Sequence, residues 1–392
     1  MKNVLIASFD MEVGGVERSL ISMLNNFDYE KFNVDLMLYS HTGDFLNLLP
    51  EKVHLLKELL PYKTFRMSIA EVFKAGHITL GITRIYAKYR ANQNVIDEPG
   101  YKQMQYMWKN ALSFLPNMEK SYDVAISYLW PHYFIAEKVK AKTKIAWIHT
   151  DFSTVETDVK LDIQMWNQFD HIIAVSEECK NAFVRKYPIL NLKVKVMENI
   201  NSPSLVHELA TEQVMNPMLQ DARFKILTVA RLSHAKGIDQ AVLALKVLKN
   251  RGYKEIAWYV IGYGGDESVI KSLIEENDLS NSFFLLGKKL NPYPFMKATD
   301  LYVQPSRYEG KAVTVGEAQI LGKPVLITNY PTAGSQVVDG INGVICGLSI
   351  EDIADGIESL YLNQHLRTTI ADNCRREDFQ NVNELEKLYQ LV

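Results

Sequence analysis

Glu309 and Glu317 bracket a loop, Gly310-Lys311-Ala312-Val313, that lies between an apolar strand pattern at 301–303 and a short helical pattern stopped by Gly322. A helix start of this kind leaves backbone N–H groups unpaired and its dipole favours an anion, so the loop suits a phosphate. Glu317 stands about two turns into the helix, out of reach of that phosphate. It can instead accept hydrogen bonds from neighbouring hydroxyls, such as those of a ribose. Arg231 and Lys236 form a second set. Arg231 directly follows a buried strand pattern at 225–230, and Lys236 stands at the start of the next helix. A guanidinium and an ammonium beside a helix N-terminus would hold about two negative charges, as in a diphosphate. Taken alone the pair reads as surface residues; beside the glutamate loop it reads as a binding set.

Ligands of open α/β sheets bind beyond the carboxyl ends of the strands, so the strand order of the chain matters. A buried strand pattern at 4–8 runs into Gly14-Gly15, then a helix, then a strand at 32–39, the opening of a Rossmann-like unit. The dinucleotide fingerprint G-x-G-x-x-G is absent. Further strands are expected at 122–128, 144–148, 171–175 and 194–197, with Ser176 as the N-cap of the helix that follows. Residues 198–222, with Pro203 and Pro217, show no period and read as a linker. The alternation restarts with strands at 225–230, 256–261, 283–286 and 325–328. Gly262-Tyr263-Gly264-Gly265 reads as a turn beyond the second of these, and Gly287 ends the third. The expected architecture is α/β with two Rossmann-like domains of parallel sheet, residues 1–198 and 199–376. The terminal helix, about 377–392, is expected to pack back onto the first.

Composition excludes several classes. A formal charge of -3 over 392 residues gives no global attraction to nucleic acid. Cys179, Cys346 and Cys374 form no CxxC pair, so neither a zinc site nor a disulfide framework is indicated, and a cytoplasmic protein fits. The apolar run at the start is too short for a signal peptide, and no stretch reaches the roughly 18 residues of a membrane span. One region stays opaque, 51–120. Within it, 62–92 carries Lys63, Arg66, Lys74, Arg84, Lys88 and Arg90 against the single acid Glu71, interleaved with apolar residues. Two readings stand: a core-packing helix pair with a solvated basic face, or a surface that docks on anionic lipid, which would place the protein peripherally on the inner face of the cell membrane.

The set Ala230-Arg231-Leu232 with Lys236-Gly237, Gly262-Tyr263-Gly264, and Glu309 with Glu317 before Gly322-Lys323-Pro324-Val325 resembles glycosyltransferase family four. The resemblance is strong over 225–346, weaker at Gly14-Gly15 and His149, and nearly silent over 50–120. It implies the GT-B fold, two facing Rossmann-like domains with the active site in the cleft. The implied activity is hexosyl transfer from a nucleoside diphosphate donor, by family habit a UDP-sugar, with retained anomeric configuration. Arg231 and Lys236 would bind the diphosphate. Glu309 would sit by the transferred sugar, and Glu317 would accept from the ribose. Gly310, Lys311, Ala312 and Val313 would border sugar and diphosphate with backbone N–H groups. Gly287 and Lys288 would border the base and Gly262 would line the cleft. Gly15 would let the first domain approach the phosphates, and His149 would face the sugar. The resemblance implies no cofactor and no metal. Lys311 departs from the aromatic residue many members carry after Glu-Gly. Trp130, His132 and Asp151 are candidate acceptor-side residues, and Tyr330-Pro331-Thr332-Ala333 is a candidate border of the diphosphate or base. The expected acceptor is a saccharide or lipid-linked saccharide of cell-surface polysaccharide synthesis. A nucleotide-sugar epimerase or phosphorylase on this fold, or a non-catalytic sugar-nucleotide-binding protein, are the alternatives.

Overall fold

The computed structural model describes residues 1–92 and 100–392. They form two compact units: Met1–Glu12, Val16–Asn199 and Val382–Val392 make the first, and Val13–Gly15 with Ile200–Asn381 make the second.

The first unit holds a seven-stranded sheet of β1 (Lys2–Ser8), β2 (Phe32–Leu38), β3 (His54–Leu55), β4 (Tyr122–Ser127), β5 (Ala141–Ile148), β6 (His171–Ala174) and β7 (Val194–Val196). The order is β3-β2-β1-β4-β5-β6-β7, with parallel pairing throughout. Its central strands read as unbroken apolar runs because helices cover both faces. The order reverses between β1 and β4, so the carboxyl ends of those strands flank the crevice where such sheets bind ligands. Helix α1 (Gly15–Asn25) follows β1.

The opaque stretch folds as α2 (Ile69–Lys74), α3 (Ile78–Ala91) and α4 (Gly100–Ala111). Ser68 and Glu71 form a capping box on α2: Ser68 N–H donates to the Glu71 carboxylate at 2.6 Å, and Glu71 N–H to Ser68 Oγ at 3.3 Å. Helices α3 and α4 pack along each other. What fastens them to the sheet is aromatic. Trp108 of α4 is fully buried, stacked on Phe65 with centroids 3.9 Å apart and flanked by Tyr39 at 5.1 Å. Helix α5 (Glu177–Lys186) starts where expected, with Ser176 Oγ accepting from Cys179 N–H at 3.1 Å. The terminal helix Glu384–Tyr389 lies in this unit, where the Tyr389 hydroxyl accepts from Asp28 N–H at 2.8 Å and its ring stacks on Phe32 at 5.1 Å.

Residues 198–222 are not a bare linker. They contain α6 (Pro203–Leu209) and a 3-10 turn at Pro217–Leu219, with Val206 and Met218 buried in the core of the second unit. The two prolines that suggested a linker each stand at a helix start, a position that needs no N–H donor.

The second unit holds β8 (Phe224–Val229), β9 (Ile256–Ile261), β10 (Phe283–Leu285), β11 (Leu301–Gln304), β12 (Val325–Thr328) and β13 (Val344–Cys346). The order is β10-β9-β8-β11-β12-β13, again all parallel, and it reverses between β8 and β11. Helix α7 (Ile238–Asn250) covers one face through buried Ile238, Ala241, Val242, Leu245 and Leu248, which recur at helical spacing. Helix α8 (Val313–Ile320) covers the other through Val315, Ala318 and Ile320. The loops after β8 and β11 therefore leave the sheet side by side, at its switch point. Among the described residues no helix is long and apolar enough to cross a membrane.

Candidate functional site

In the second unit, Arg231 and Lys236 follow β8 while Glu309 to Val313 follow β11. Gly237 makes their approach possible. It has φ +64°, and a Cβ there would stand 2.0 Å from the Pro305 carbonyl oxygen. Arg307 then stitches the loops together. Its guanidinium donates to both carboxylate oxygens of Asp239, at 2.8 and 2.6 Å, and to the His234 carbonyl at 2.7 Å. Its backbone N–H reaches the Ala235 carbonyl at 2.8 Å. Burial pushes the Asp239 carboxyl up, but the bonds and charge of Arg307 outweigh it and hold the group below its usual range.

Glu309 is nearly buried, at 7% exposure, and each carboxylate oxygen has a defined partner. Oε2 accepts from Lys236 Nζ at 2.5 Å. Oε1 accepts from Ser306 Oγ at 2.7 Å and Gln304 Nε2 at 3.2 Å. The Gln304 amide oxygen is 2.9 Å from the Tyr302 hydroxyl that donates to it, and the Glu309 carbonyl accepts from Thr332 Oγ1 at 3.1 Å. A carboxylate held on this many sides is fixed in orientation before any ligand arrives. Lys236 keeps further N–H donors beyond the one given to Glu309. Arg231 is exposed, and no side-chain bond or ion pair engages it among the described residues.

Gly262 lies against the same edge: a Cβ on it would stand 1.8 Å from the Ala230 carbonyl oxygen, and its N–H donates to the Gly287 carbonyl at 3.0 Å. Lys288 places its ammonium 5.2 Å from the centroid of the Tyr263 ring. The structure thus gathers Arg231, Lys236, Gly262, Gly287, Lys288 and the 309–313 loop at the carboxyl edge of one sheet.

One expectation changes. Ala312 does not offer its N–H, which donates to Gln336 Oε1 at 2.9 Å while Gln336 Nε2 returns a bond to the Ala312 carbonyl at 2.9 Å. The Tyr330 hydroxyl donates to the same Gln336 oxygen at 3.0 Å, so Gln336 is a brace for the loop. Glu317 on α8 is 5% exposed, and its Oε1 accepts from the Tyr293 hydroxyl at 2.7 Å. Gly310 and Lys311 precede α8, and Val313 is its first residue. Gln304, Ser306, Gln336 and Tyr293 were missed by sequence reasoning. A polar residue ending the otherwise apolar run Leu301-Tyr302-Val303 is the one signal that could have flagged Gln304.

His149 belongs elsewhere, whereas Gly15 groups with the second unit, where a Cβ on it would stand 3.9 Å from Val313 Cγ2. Gly15 is exposed at the first position of α1, and His149 stands at the carboxyl end of β5 in the first unit. The His149 ring lies 4.6 Å from Tyr128 and 6.3 Å from Trp147, and its Nε2 has no hydrogen-bond partner among the described residues. Burial pushes its pKa down to about 3, so the imidazole is neutral at physiological pH. His132 is fully buried between Trp166 and Phe169, with Nδ1 2.8 Å from Ser127 Oγ. Asp151 is 2% exposed and caps its own turn through Ser153 N–H at 2.8 Å. Trp130 is buried beside Tyr101. These three acceptor-side candidates are packed inward, and none presents an open polar surface. Instead, a cavity of about 650 Å³ opens beyond β1 and β2, lined by Glu12, Ser40, Thr42, Lys63, Arg66 and Glu71 among others. Its cations are already matched: Arg66 pairs with buried Asp10 at 2.5 Å and Lys63 with Glu58 at 2.7 Å.

Two Rossmann-like units, with a charged set at the switch point of the second, define the GT-B class of α/β protein. Residues 212–377 match the family described as glycosyl transferases group 1. The chain is 26% identical over 245 residues to the uncharacterized glycosyltransferase MJ1069 of Methanocaldococcus jannaschii, covering 58% of this chain and 59% of that protein. It is 28% identical over 223 residues to the capsular polysaccharide biosynthesis glycosyltransferase CapM of Staphylococcus aureus, covering 52% of this chain and 56% of CapM. These matches span between half and three-fifths of the relatives' length. In fold the chain is similar to Anabaena HepE, solved with UDP and glucose, at TM-score 0.70 and 18% identity over 100% of this chain and 99% of that one. It is likewise similar to TarM of S. aureus, at TM-score 0.65 and 14% identity over 100% and 98% of the two chains.

Proposed function

We propose that the protein is a retaining hexosyltransferase that moves a sugar from a UDP-sugar to a hydroxyl of a saccharide or lipid-linked saccharide in cell-surface polysaccharide assembly. The observation that carries this reading is the Lys236–Glu309 pair, braced by Ser306 and Gln304, beside the unengaged Arg231 at the switch point of the second sheet. The barrier to transfer is departure of a charged diphosphate from an oxocarbenium-like sugar. Arg231 and the spare donors of Lys236 supply positive charge where that negative charge develops, and the N–H dipoles of Gly310 and Lys311 add to it. Glu309, its carboxylate already oriented, takes hydroxyls of the transferred sugar. Glu317 accepts from the ribose, beside Tyr293. Gly262, Gly287 and Lys288 border the base.

The capsular role of CapM and the UDP and glucose held by HepE support the donor and acceptor classes. The cavity of the first unit supports a polyhydroxylated acceptor, since its lining mixes carboxylates, hydroxyls and paired cations. Because protein cations do the electrostatic work, no metal is required, and turnover is expected to survive chelation by EDTA. Peripheral contact with anionic membrane through 62–92 belongs to the same reading and would bring the enzyme to a lipid-linked acceptor on the cytoplasmic face.

Loss of one such donor costs on the order of 3 kcal/mol. Arg231→Ala and Lys236→Ala are therefore each expected to lower kcat at least about 100-fold while circular dichroism shows the fold intact. Near-normal turnover in both variants would sink the assignment. Donor turnover without any acceptor would point to an epimerase instead.

A further inference from the structure

Helix α3 is apolar on two opposite sides. One side, with Leu80, Ala87 and Ala91, is buried in the first unit. At 100° per residue, Ile78, Ile82, Ile85, Tyr86 and Tyr89 share an arc of about 100° on the other side. They are 61%, 57%, 50%, 53% and 64% exposed respectively. A surface helix normally turns charged residues outward at such positions. A contiguous exposed apolar stripe instead marks an interaction surface.

Charge identifies the occupant. Helices α3 and α4 carry Arg84, Lys88, Arg90, Lys102 and Lys109 and no aspartate or glutamate. By the same helical geometry Lys88 borders the stripe on one edge and Arg90 on the other. A symmetric contact with a second copy would press the cations of two such helix pairs together. An anionic bilayer accepts both the cations and the apolar stripe.

The structure also divides the labour between the two. Of the basic residues in 62–92, Lys63 and Arg66 are paired with Glu58 and Asp10, and Arg84 donates to the Thr64 carbonyl at 2.8 Å. The Arg90 guanidinium sits 4.2 Å from the centroid of the Tyr106 ring. Outside these contacts, Lys74 and Lys88 are the exposed cations of the stretch. The apolar stripe is thus the larger resource.

We infer that α3 lies in the plane of an anionic membrane interface, Ile78, Ile82 and Ile85 entering the acyl boundary and Tyr86 and Tyr89 resting at headgroup level. This deepens the membrane contact of the proposed function and rests on it, replacing a mainly electrostatic attachment with one led by insertion.

Flotation of the full chain with phosphatidylcholine vesicles, with and without phosphatidylglycerol, tests it. The chain floats with the anionic vesicles. The variant Ile82→Glu/Ile85→Glu loses at least about 100-fold in partition coefficient, as two isoleucines that would enter the acyl boundary are replaced by charges. The variant Lys74→Gln/Lys88→Gln loses no more than about 30-fold, at about fivefold per exposed lysine. Both variants are exposed changes and keep the thermal shift produced by UDP. Failure of the unaltered chain to float would overturn the inference, as would normal flotation of Ile82→Glu/Ile85→Glu. A dimer in sedimentation that this variant abolishes would assign the stripe to a second copy and overturn it too. Flotation without any UDP-induced shift would leave the docking standing and strike the proposed function.

Discussion

The two units build the same kind of parallel sheet and reverse its order at the same kind of switch point, yet they furnish the carboxyl edge in opposite ways. In the second unit the edge is charged and braced: Glu309 accepts from three side chains, Arg307 grips Asp239, and Arg231 stands exposed. In the first unit the strand-end groups turn inward. His132 and Asp151 are buried, and the cations at the cavity are matched by Asp10 and Glu58. Under the proposed function, the difference suits a division in which one edge handles a doubly charged leaving group and the other a ligand of hydroxyls. It also separates two ways of holding a region in place, ion pairs and hydrogen bonds in one unit and aromatic packing in the other.

The largest effect that would sharpen this contrast is on stability. Trp108→Ala removes the ring that joins Phe65 and Tyr39 to α4, and is expected to cost about 3–5 kcal/mol. Denaturant unfolding should then show the first unit melting ahead of the second; a single unshifted transition would break the aromatic account. A smaller effect is expected at Gln304→Leu, which deprives Glu309 of one donor and Tyr302 of its nearer acceptor. About 1–3 kcal/mol of stability should be lost, with kcat falling about tenfold and KM little changed. An unchanged kcat would mean that the brace does not orient Glu309.

The third effect is one of pH. His149 is neutral in the folded state down to about 3, whereas an unfolded histidine takes a proton near its usual 6.5. Between those values the unfolded state binds more protons, so the stability that His149 contributes is present above about 6.5 and is lost as pH falls toward 3. His132, whose pKa burial also lowers, acts in the same sense, while Asp162, raised by burial, acts in the opposite one. His149→Gln should therefore flatten the decline of melting temperature below about pH 6.5. An identical slope would place the acid sensitivity elsewhere. The smallest expected effect is none: EDTA should leave turnover unchanged, and metal-dependent turnover would transfer the leaving-group charge from Arg231 and Lys236 to an ion.

Legibility in the sequence follows the same divide. Buried parallel strands such as Val4 to Ala7 and Ile256 to Ile261 announce themselves as apolar runs, and the residues that end them mark the binding edge. Arg231, Lys236, Gly262 and Glu309 were visible for that reason. Their supports were not. Gln336 bonds to Ala312, and Tyr293 to Glu317, across loops and helices that no local period connects. Residues 51–120 were opaque because α3 is apolar on two sides, which blurs the helical period, and because the Trp108 cluster draws on rings scattered from Phe9 to Phe134. The prolines of 203 and 217 misled, since helix starts and linkers both accept proline.

The most direct measurement is a panel of nucleoside diphosphate sugars offered with a saccharide acceptor, the product being followed by mass spectrometry and its anomeric centre by NMR. The account predicts transfer from a UDP-sugar with the donor's configuration retained. An inverted product, or no transfer from any member of the panel by a chain that nevertheless binds UDP, would contradict it.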